Sequence, residues 1–189
     1  MKIKAITPIL MAIFFTTSAA LAQTPGNAVT DLILTSYSAK LFTGEPVKDT
    51  DLDLILRCGI KAPSARNSQP WKFTVIKDMN LVADVMKNIP QGNVIVIVSG
   101  QEATQPGVNA DFDCALAAAN MYTAAQSLAL GAHIYTGPIS NVNANKVKYG
   151  IPDGYRAVTI LRIGNIDKTA DATSSASARR SFEETVIYK

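Results

Sequence analysis

The chain has 189 residues, with 18 basic side chains against 15 acidic ones and one histidine. That balance gives no electrostatic case for nucleic acid or an acidic partner, and a lone histidine without paired Cys-x-x-Cys spacing speaks against a zinc site. After the first 22 residues no apolar run reaches membrane-spanning length.

Lys2 and Lys4 precede a largely apolar run over residues 6–21, and Ala20-Leu21-Ala22 is a small-x-small cleavage pattern before Gln23. Residues 1–22 therefore read as a cleaved signal peptide, with an uncleaved N-terminal anchor as the alternative. There is no Arg-Arg pair ahead of the apolar run and no lipobox cysteine. Cleavage after Ala22 leaves 167 residues, destined for the periplasm or the exterior, with no membrane attachment thereafter. The charge falls to 16 basic against 15 acidic side chains. That length suits one domain burying roughly 70% of its unfolded surface.

Along residues 23–189, "NAVTDLILTS" predicts a first helix. "KDTDLDLILRCGIKA" predicts a second, with Asp49 or Thr50 at its cap and Leu52, Ile55, Leu56 and Ile60 at helical spacing. Glu45, Asp49, Asp51 and Asp53 read as a helix start with a solvated face rather than an acid–base pair. "APSARNSQP" breaks that helix: Pro63 biases Ala62 toward an extended backbone. "WKFTVIK" alternates as a strand, "LVADVMKNI" predicts a short helix, and "NVIVIVSG" is a β-branched run of the kind buried on both faces. Residues 111–130 form the longest predicted helix, alanine-rich and open to close approach, with Gly131 placed to end it in the left-handed conformation. "HIYTGPIS" reads as a compact loop and "YRAVTILRIGN" as a third strand. Residues 168–178 have linker composition, and "RRSFEETVIYK" over 179–189 resumes a strand-like pattern on that tether. The sum is α+β or α/β. Cys58 and Cys114 each sit in an apolar helical stretch, where buried free thiols are common; an exported chain leaves a disulfide open as well.

Phosphate loops, dinucleotide glycine fingerprints and nucleophile elbows are absent, and His133 reads as a surface or satisfied core histidine. Ser64, Asn67 and Gln69 remain: short hydroxyl and amide groups able to donate and accept along the edge of a flat ligand. On chemistry alone, a polar helix-to-strand turn anchored by Trp71 fits equally well.

A resemblance separates the two. "IKAPSARNSQPWKFTVIKD" resembles the signature segment of the FMN-dependent nitroreductase family. In the same order, "SYSAKLFTGEPVKDTDLDLILRCGIKAPSA" resembles the family's opening, "DFDCALAAANMYTAAQSLALGAHIYTG" its long central helix and flavin loop, "YRAVTILRIGN" its Ile-Gly strand, and "RRSFEETVIYK" its C-terminal arginine with Glu-Glu-Val. The resemblance implies an α+β fold, a central mixed sheet flanked by helices with a long central helix and a swapped C-terminal tail. It implies an obligate homodimer with FMN at the subunit interface. By position, Ser38 and Lys40 fall on the phosphate and ribityl contacts, and Pro63, Ser64, Ala65, Asn67 and Gln69 along the ring or its ribityl chain. Ile134, Tyr135, Thr136 and Gly137 fall against one flavin face, and Arg179, with Arg180 beside it, on a second cationic phosphate contact. No side chain is then a catalytic acid or base, because the chemistry lies on the flavin. NAD(P)H or another donor supplies electrons, and a small aromatic such as a nitroaromatic or quinone accepts them.

Two departures from the family pattern stand out. Ser36 and Tyr37 replace its arginine pair, and Lys40 replaces the next arginine. Lysine is a point charge without arginine's bidentate fork, so a lost arginine contact costs on the order of 1.5–3 kcal/mol. A fold-retaining flavin or small-molecule binding protein without turnover, and a flavin-free interaction module, are the competing readings.

Overall fold

The computed structural model describes residues 26–171 and 177–189. The predicted signal segment 1–22 and residues 172–176 of the predicted linker lie outside the described residues. The centre of the molecule is strand β2, Val94–Gln101, whose residues through Gly100 are all buried. On one side it pairs with β1 (Trp71–Ile76), on the other with β4 (Tyr155–Asn165), and β4 pairs with β3 (Leu130–Tyr135), giving the order β1-β2-β4-β3. Every pair is antiparallel. The four strands of one chain therefore do not form the mixed sheet that the resemblance implied, since each neighbour runs back along the last and none supplies a parallel partner.

Alternation decides the two layers, because successive residues of a strand point to opposite faces. Val94, Val96 and Val98 of β2 join Leu161 and Ile163 of β4 under helices α2 (Asp49–Ile60) and α4 (Ala110–Ser127). Ile95, Ile97 and Ile160 face the other way, toward α3 (Met79–Val85) and α5 (Ile139–Ala144). Helix α1 (Ala28–Thr35) opens the described chain, with an Asn27–Thr30 capping box.

Several local expectations shift. Lys48, not Asp49 or Thr50, is the N-cap residue of α2 and makes no side-chain cap; the Asp49 carboxylate is instead paired with Lys77. Asp49 and Asp51 still sit in the first turn, where the helix dipole favours them. Helix α4 ends at a left-handed Ala129 (φ 58°), so Gly131 is not its terminator. Gly131 lies inside β3, where an added Cβ would meet the Phe42 ring at 2.7 Å and Ala39 at 2.9 Å. This glycine lets the segment after α1 cross close over the strand. Residues 130–135, expected to be helix end and loop, are that edge strand, with Leu130 and Ala132 on the α4 side. The C-terminal tail is not strand-like throughout: Phe182–Thr185 form a helical turn, α6, because Ser181 and Glu184 close a capping box.

One buried cation fastens the crossing segment. Arg162 on β4 is 6% exposed. Its Nε and Nη2 donate to Asn93 Oδ1 at 2.9 and 2.8 Å, and its guanidinium lies 3.8 Å over the Phe42 ring. Asn93 Nδ2 in turn donates to the Thr43 carbonyl at 2.9 Å. Burial lowers the Arg162 pKa, opposed by a hydrogen bond with Tyr135. Replacing Asn93 by Ala strips that charge of its acceptor, and hydrogen bonds to charged groups are worth about 1.5–3 kcal/mol. Urea unfolding of Asn93→Ala is expected to show a loss of that size; a loss under about 0.5 kcal/mol would mean that water or backbone replaces the acceptor.

Candidate functional site

The segment between α2 and β1 has an unusual backbone. Arg66 (φ 54°), Asn67 (φ 53°) and Gln69 (φ 46°) are all left-handed, and none is glycine. Such conformations cost of order 1–3 kcal/mol each and persist only where the surroundings hold them. The hold here is internal and from below. Asn67 N donates to Ser64 O at 3.0 Å, Ser68 N to Ala65 O at 3.0 Å, and Gln69 N to Ser64 Oγ at 3.1 Å. Beneath them the Asp113 carboxylate, on α4 and 1% exposed, accepts from Ala65 N at 3.2 and 3.3 Å and from Ser68 Oγ at 3.5 Å. The outcome is a fixed rim. Pro63, Asn67 and Gln69 are exposed, Ser64 and Ala65 half-buried. The Gln69 amide nitrogen donates to Asn67 Oδ1 at 3.2 Å and to Asn67 O at 3.3 Å, so the two amides present one joined edge. Pro70 is buried, and its carbonyl accepts from Gln101 N at 2.8 Å, seating the chain in the sheet.

The second group stands elsewhere. Ser38 is exposed, with its hydroxyl 3.4 Å from Tyr122 Oη on α4. Tyr37 is clamped through its backbone by Gln126, whose Oε1 accepts from Tyr37 N at 3.3 Å and whose Nε2 donates to Tyr37 O at 3.1 Å. Burial, and then the Asp171 charge, raise the Tyr37 phenol. Lys40 is exposed; its backbone N–H and that of Leu41 donate to buried Asp171, the latter at 2.9 Å. The predicted linker thus begins as an anchored turn. His133 Nδ1 lies 3.0 Å from the Ala39 carbonyl, so it carries the proton and donates. The histidine is a positioned edge residue, stacked on Tyr135 at 4.3 Å between ring centres.

The predicted loop 134–137 divides. Ile134 follows Leu130 and Ala132 on the α4 side of the sheet and is 39% exposed. Tyr135 points to the opposite face and packs in the α3–α5 cluster. Thr136 and Gly137 are exposed beyond the strand end. Arg179 is exposed in the tail, where its guanidinium donates to Ser177 O at 2.9 Å.

Helix α4 explains why these groups stay apart within one chain. Asp113 and Tyr122 are nine positions apart, about 14 Å along the axis and about 180° around it. The rim loop therefore lies on one flank of α4 and Ser38 on the other. Between them runs an open face with Phe112, 62% exposed, and the small Ala115 and Ala119. Asp113, Tyr122 and Gln126 were not identified as site residues from the sequence. Asp113 left a signal: it is an acid on the stripe Ala110, Asp113, Cys114, Ala117, Ala118 and Met121 that is otherwise apolar and buried. Tyr122 and Gln126 left none, because their roles depend on where residues 37 and 38 cross.

Residues 33–93 match the model of the family described as "Nitroreductase family". A protein of Archaeoglobus fulgidus named for NADH dehydrogenase/NAD(P)H nitroreductase is 24% identical over 144 residues, 70% of this chain and 82% of its own length. One of the same name from Methanothermobacter thermautotrophicus is 26% identical over 147 residues, 72% of this chain and 76% of its own. A nitroreductase crystal structure in complex with FMN, from Desulfovibrio desulfuricans, superposes with a TM-score of 0.74 at 28% identity, covering 87% of this chain and 98% of that one.

Cys58 and Cys114 are free thiols, the first half-buried and the second buried. Burial pushes the Cys114 thiol up to about 12, helped by Asp111 and Asp113 and opposed by Arg156. A thiol raised in the folded state favours folding fully below its unfolded value of about 8.5. That contribution is lost as the pH rises from there toward about 12. Alkylation of the native protein at pH 8, read by mass spectrometry, is expected to modify Cys58 and spare Cys114; equal labelling would mean that α4 opens on the reaction timescale.

Proposed function

We propose that this chain, which belongs to the nitroreductase family, is an FMN-dependent oxidoreductase exported to the periplasm or beyond, acting as a homodimer on flat aromatic acceptors such as nitroaromatics or quinones. The observation that carries the reading is the rim at 63–69. It spends three left-handed residues and a buried carboxylate to present the Asn67 and Gln69 amides outward, a construction that a plain helix-to-strand turn does not need. The likeness to a solved FMN complex supports the cofactor, and the names of the relatives support NAD(P)H as donor.

When bound, FMN supplies hydride and electron transfer through its N5. The protein's part is to bind, orient and shield. The amides of Asn67 and Gln69, with Ser64 and the backbone at Pro63 and Ala65, line the polar ring edge and ribityl chain. Ser38 and Lys40 hold the phosphate end together with Arg179 brought in by the tail. Ser36 and Tyr37 do not substitute for arginines: Ser36 Oγ donates back to Ile33 O at 2.9 Å, and Tyr37 is held by its backbone. Ile134, Thr136 and Gly137 border one ring face. The stretch between residues 137 and 155 holds only the short α5, which buries Val142 in the core, and this supports an open acceptor side.

The same geometry supports a homodimer. With the rim and Ser38 on opposite flanks of α4, a second copy packed on the open face sets the rim of one protomer against the Ser38 side of its partner, and two equivalent sites form. The outer edge of β1 has no strand beside it among the described residues, whereas β3 is crossed by the segment around Ala39 and Phe42. A partner's tail, extended from Val186 and exposing Ile187 and Tyr188, can pair along β1 and make the assembled sheet mixed. The departure from the family arginines favours the second reading, a flavin-binding protein without turnover.

The test is the visible spectrum of the purified protein after incubation with FMN and desalting, followed by anaerobic addition of NADH and then a quinone. Retained flavin that NADH bleaches and the quinone restores is expected. Retained flavin that no donor reduces supports the binding-protein reading, and a protein that stays colourless overturns both. Asn67→Ala is expected to weaken FMN about tenfold and Arg179→Ala by about ten- to a hundredfold, the worth of one charged hydrogen bond; unchanged occupancy in both would remove these residues from the site.

A further inference from the structure

We infer that Asp113 is the positioning residue of the flavin site: it acts through the 63–69 rim, with no contact to the cofactor, by fixing the direction of the Asn67 and Gln69 amides. The inference rests on the flavin reading given above and adds a residue to it. Asp113 is 1% exposed and lies on the buried stripe of α4, among Ala110, Cys114 and Ala117. A carboxylate there is costly unless its oxygens are well used. Its hydrogen bonds go to the rim, from Ala65 N to both oxygens and from Ser68 Oγ to one. It takes part in none of the four ion pairs found among the described residues.

The placement of those bonds matters. Ala65 precedes the left-handed pair Arg66 and Asn67, and Ser68 separates that pair from left-handed Gln69. The carboxylate holds the loop on either side of the left-handed pair. Released from it, Arg66, Asn67 and Gln69 can each relax toward the favoured right-handed or extended regions. Either change swings the Asn67 side chain and breaks its bond to the Gln69 amide. An apolar residue at 113 fills the same space but holds nothing. The acid is thus explained by what it supports and not by the packing of α4.

The role separates from mere packing by its coupling to Asn67. If Asp113 serves the site through Asn67, its loss costs little once Asn67 is gone; if it only packs, the two losses add. The experiment is FMN titration by fluorescence of the wild type, Asp113→Asn, Asp113→Ala, Asn67→Ala and the Asp113→Ala/Asn67→Ala double variant. Amide hydrogen exchange at residues 65–69 of the flavin-free proteins accompanies it. The expected result is an Asp113→Ala loss of about tenfold in affinity, the worth of one charge-assisted hydrogen bond. Asp113→Asn, which keeps one acceptor oxygen, should recover most of it. The double variant should be little weaker than the worse single one, and exchange at 65–69 should rise in Asp113→Ala but not in Asp113→Asn. Should Asp113→Ala fail to fold, Ala65→Pro deletes the donor and leaves α4 intact, and the same loss and non-additivity are expected. Additive losses, or unchanged rim exchange in Asp113→Ala, overturn the inference and leave the functional reading standing. A wild type that takes up no FMN overturns the functional reading and this role with it.

Discussion

Everything in this fold turns on a strand that has no wet side. The residues of β2 through Gly100 are all buried, so the sheet needs an apolar layer on each face, and the chain supplies α2 and α4 on one and α3 and α5 on the other. Burying a single Val, Ile or Leu side chain is worth about 1.5–3 kcal/mol, and the facing valines and isoleucines of β2 and β4 make this interior the main source of stability. Few polar side chains enter that centre, Ser99 of β2 and Thr159 and Arg162 of β4 among them. The candidate site residues lie at the two edges of the sheet, where the segment after α1 crosses β3 and the rim loop enters β1.

At each edge a buried polar group tethers the candidate segment to the core. On the β3 side Arg162 spans Asn93 and Phe42 and holds the chain near Thr43, downstream of Ser38 and Lys40. On the β1 side Asp113 holds Ala65 and Ser68. The two devices share a logic. A charge removed from water is tolerated only where its hydrogen-bonding capacity is used, so its partners are defined more sharply than apolar packing defines them. Cores of Val and Ile accept many near-equivalent packings, whereas these contacts accept one.

Helix α4 mediates between the edges. Its inward stripe is small and apolar, which lets α2 pack closely; Gly59 of α2 leaves space for Met121, whose side chain an added Cβ would meet at 2.6 Å. Its outward stripe carries Phe112, Ala115 and Ala119, and α1 adds exposed Val29, Ile33 and Leu34. In the homodimer proposed here that broad apolar surface is covered by its symmetry mate, and the same contact joins half-sites that one chain keeps apart. Assembly and cofactor binding then become a single event, because ordering either one removes part of the cost of the other.

Much of this was legible in the amino-acid sequence, for a local reason. β-branched runs specify buried strands, helical spacing of Leu52 and Ile55 specifies α2, and Pro63 ends it, all through interactions within a few residues. The segment "APSARNSQPWKF" was likewise singled out as a candidate site, by family resemblance where composition alone left a plain turn open. The sequence did not separate β3 from a loop, because Gly131 fits a helix terminator as well as a close crossing; only the approach of Phe42 and Ala39 decides between them. Nor did it show that "RRSFEETVIYK" begins with a capped helical turn, where the Ser181–Glu184 pair outweighs the β propensity of Val186 and Ile187. What the sequence determined by itself was the helices α1 to α4, the strands β1, β2 and β4, and a set of candidate residues for a flat ligand's edge, since propensity and side-chain chemistry are properties of short stretches. What the tertiary structure decided was the left-handed rim, its anchorage on Asp113 and the separation of that rim from Ser38 across α4. Those depend on contacts between residues 48 and 89 positions apart in the chain, which no local rule encodes.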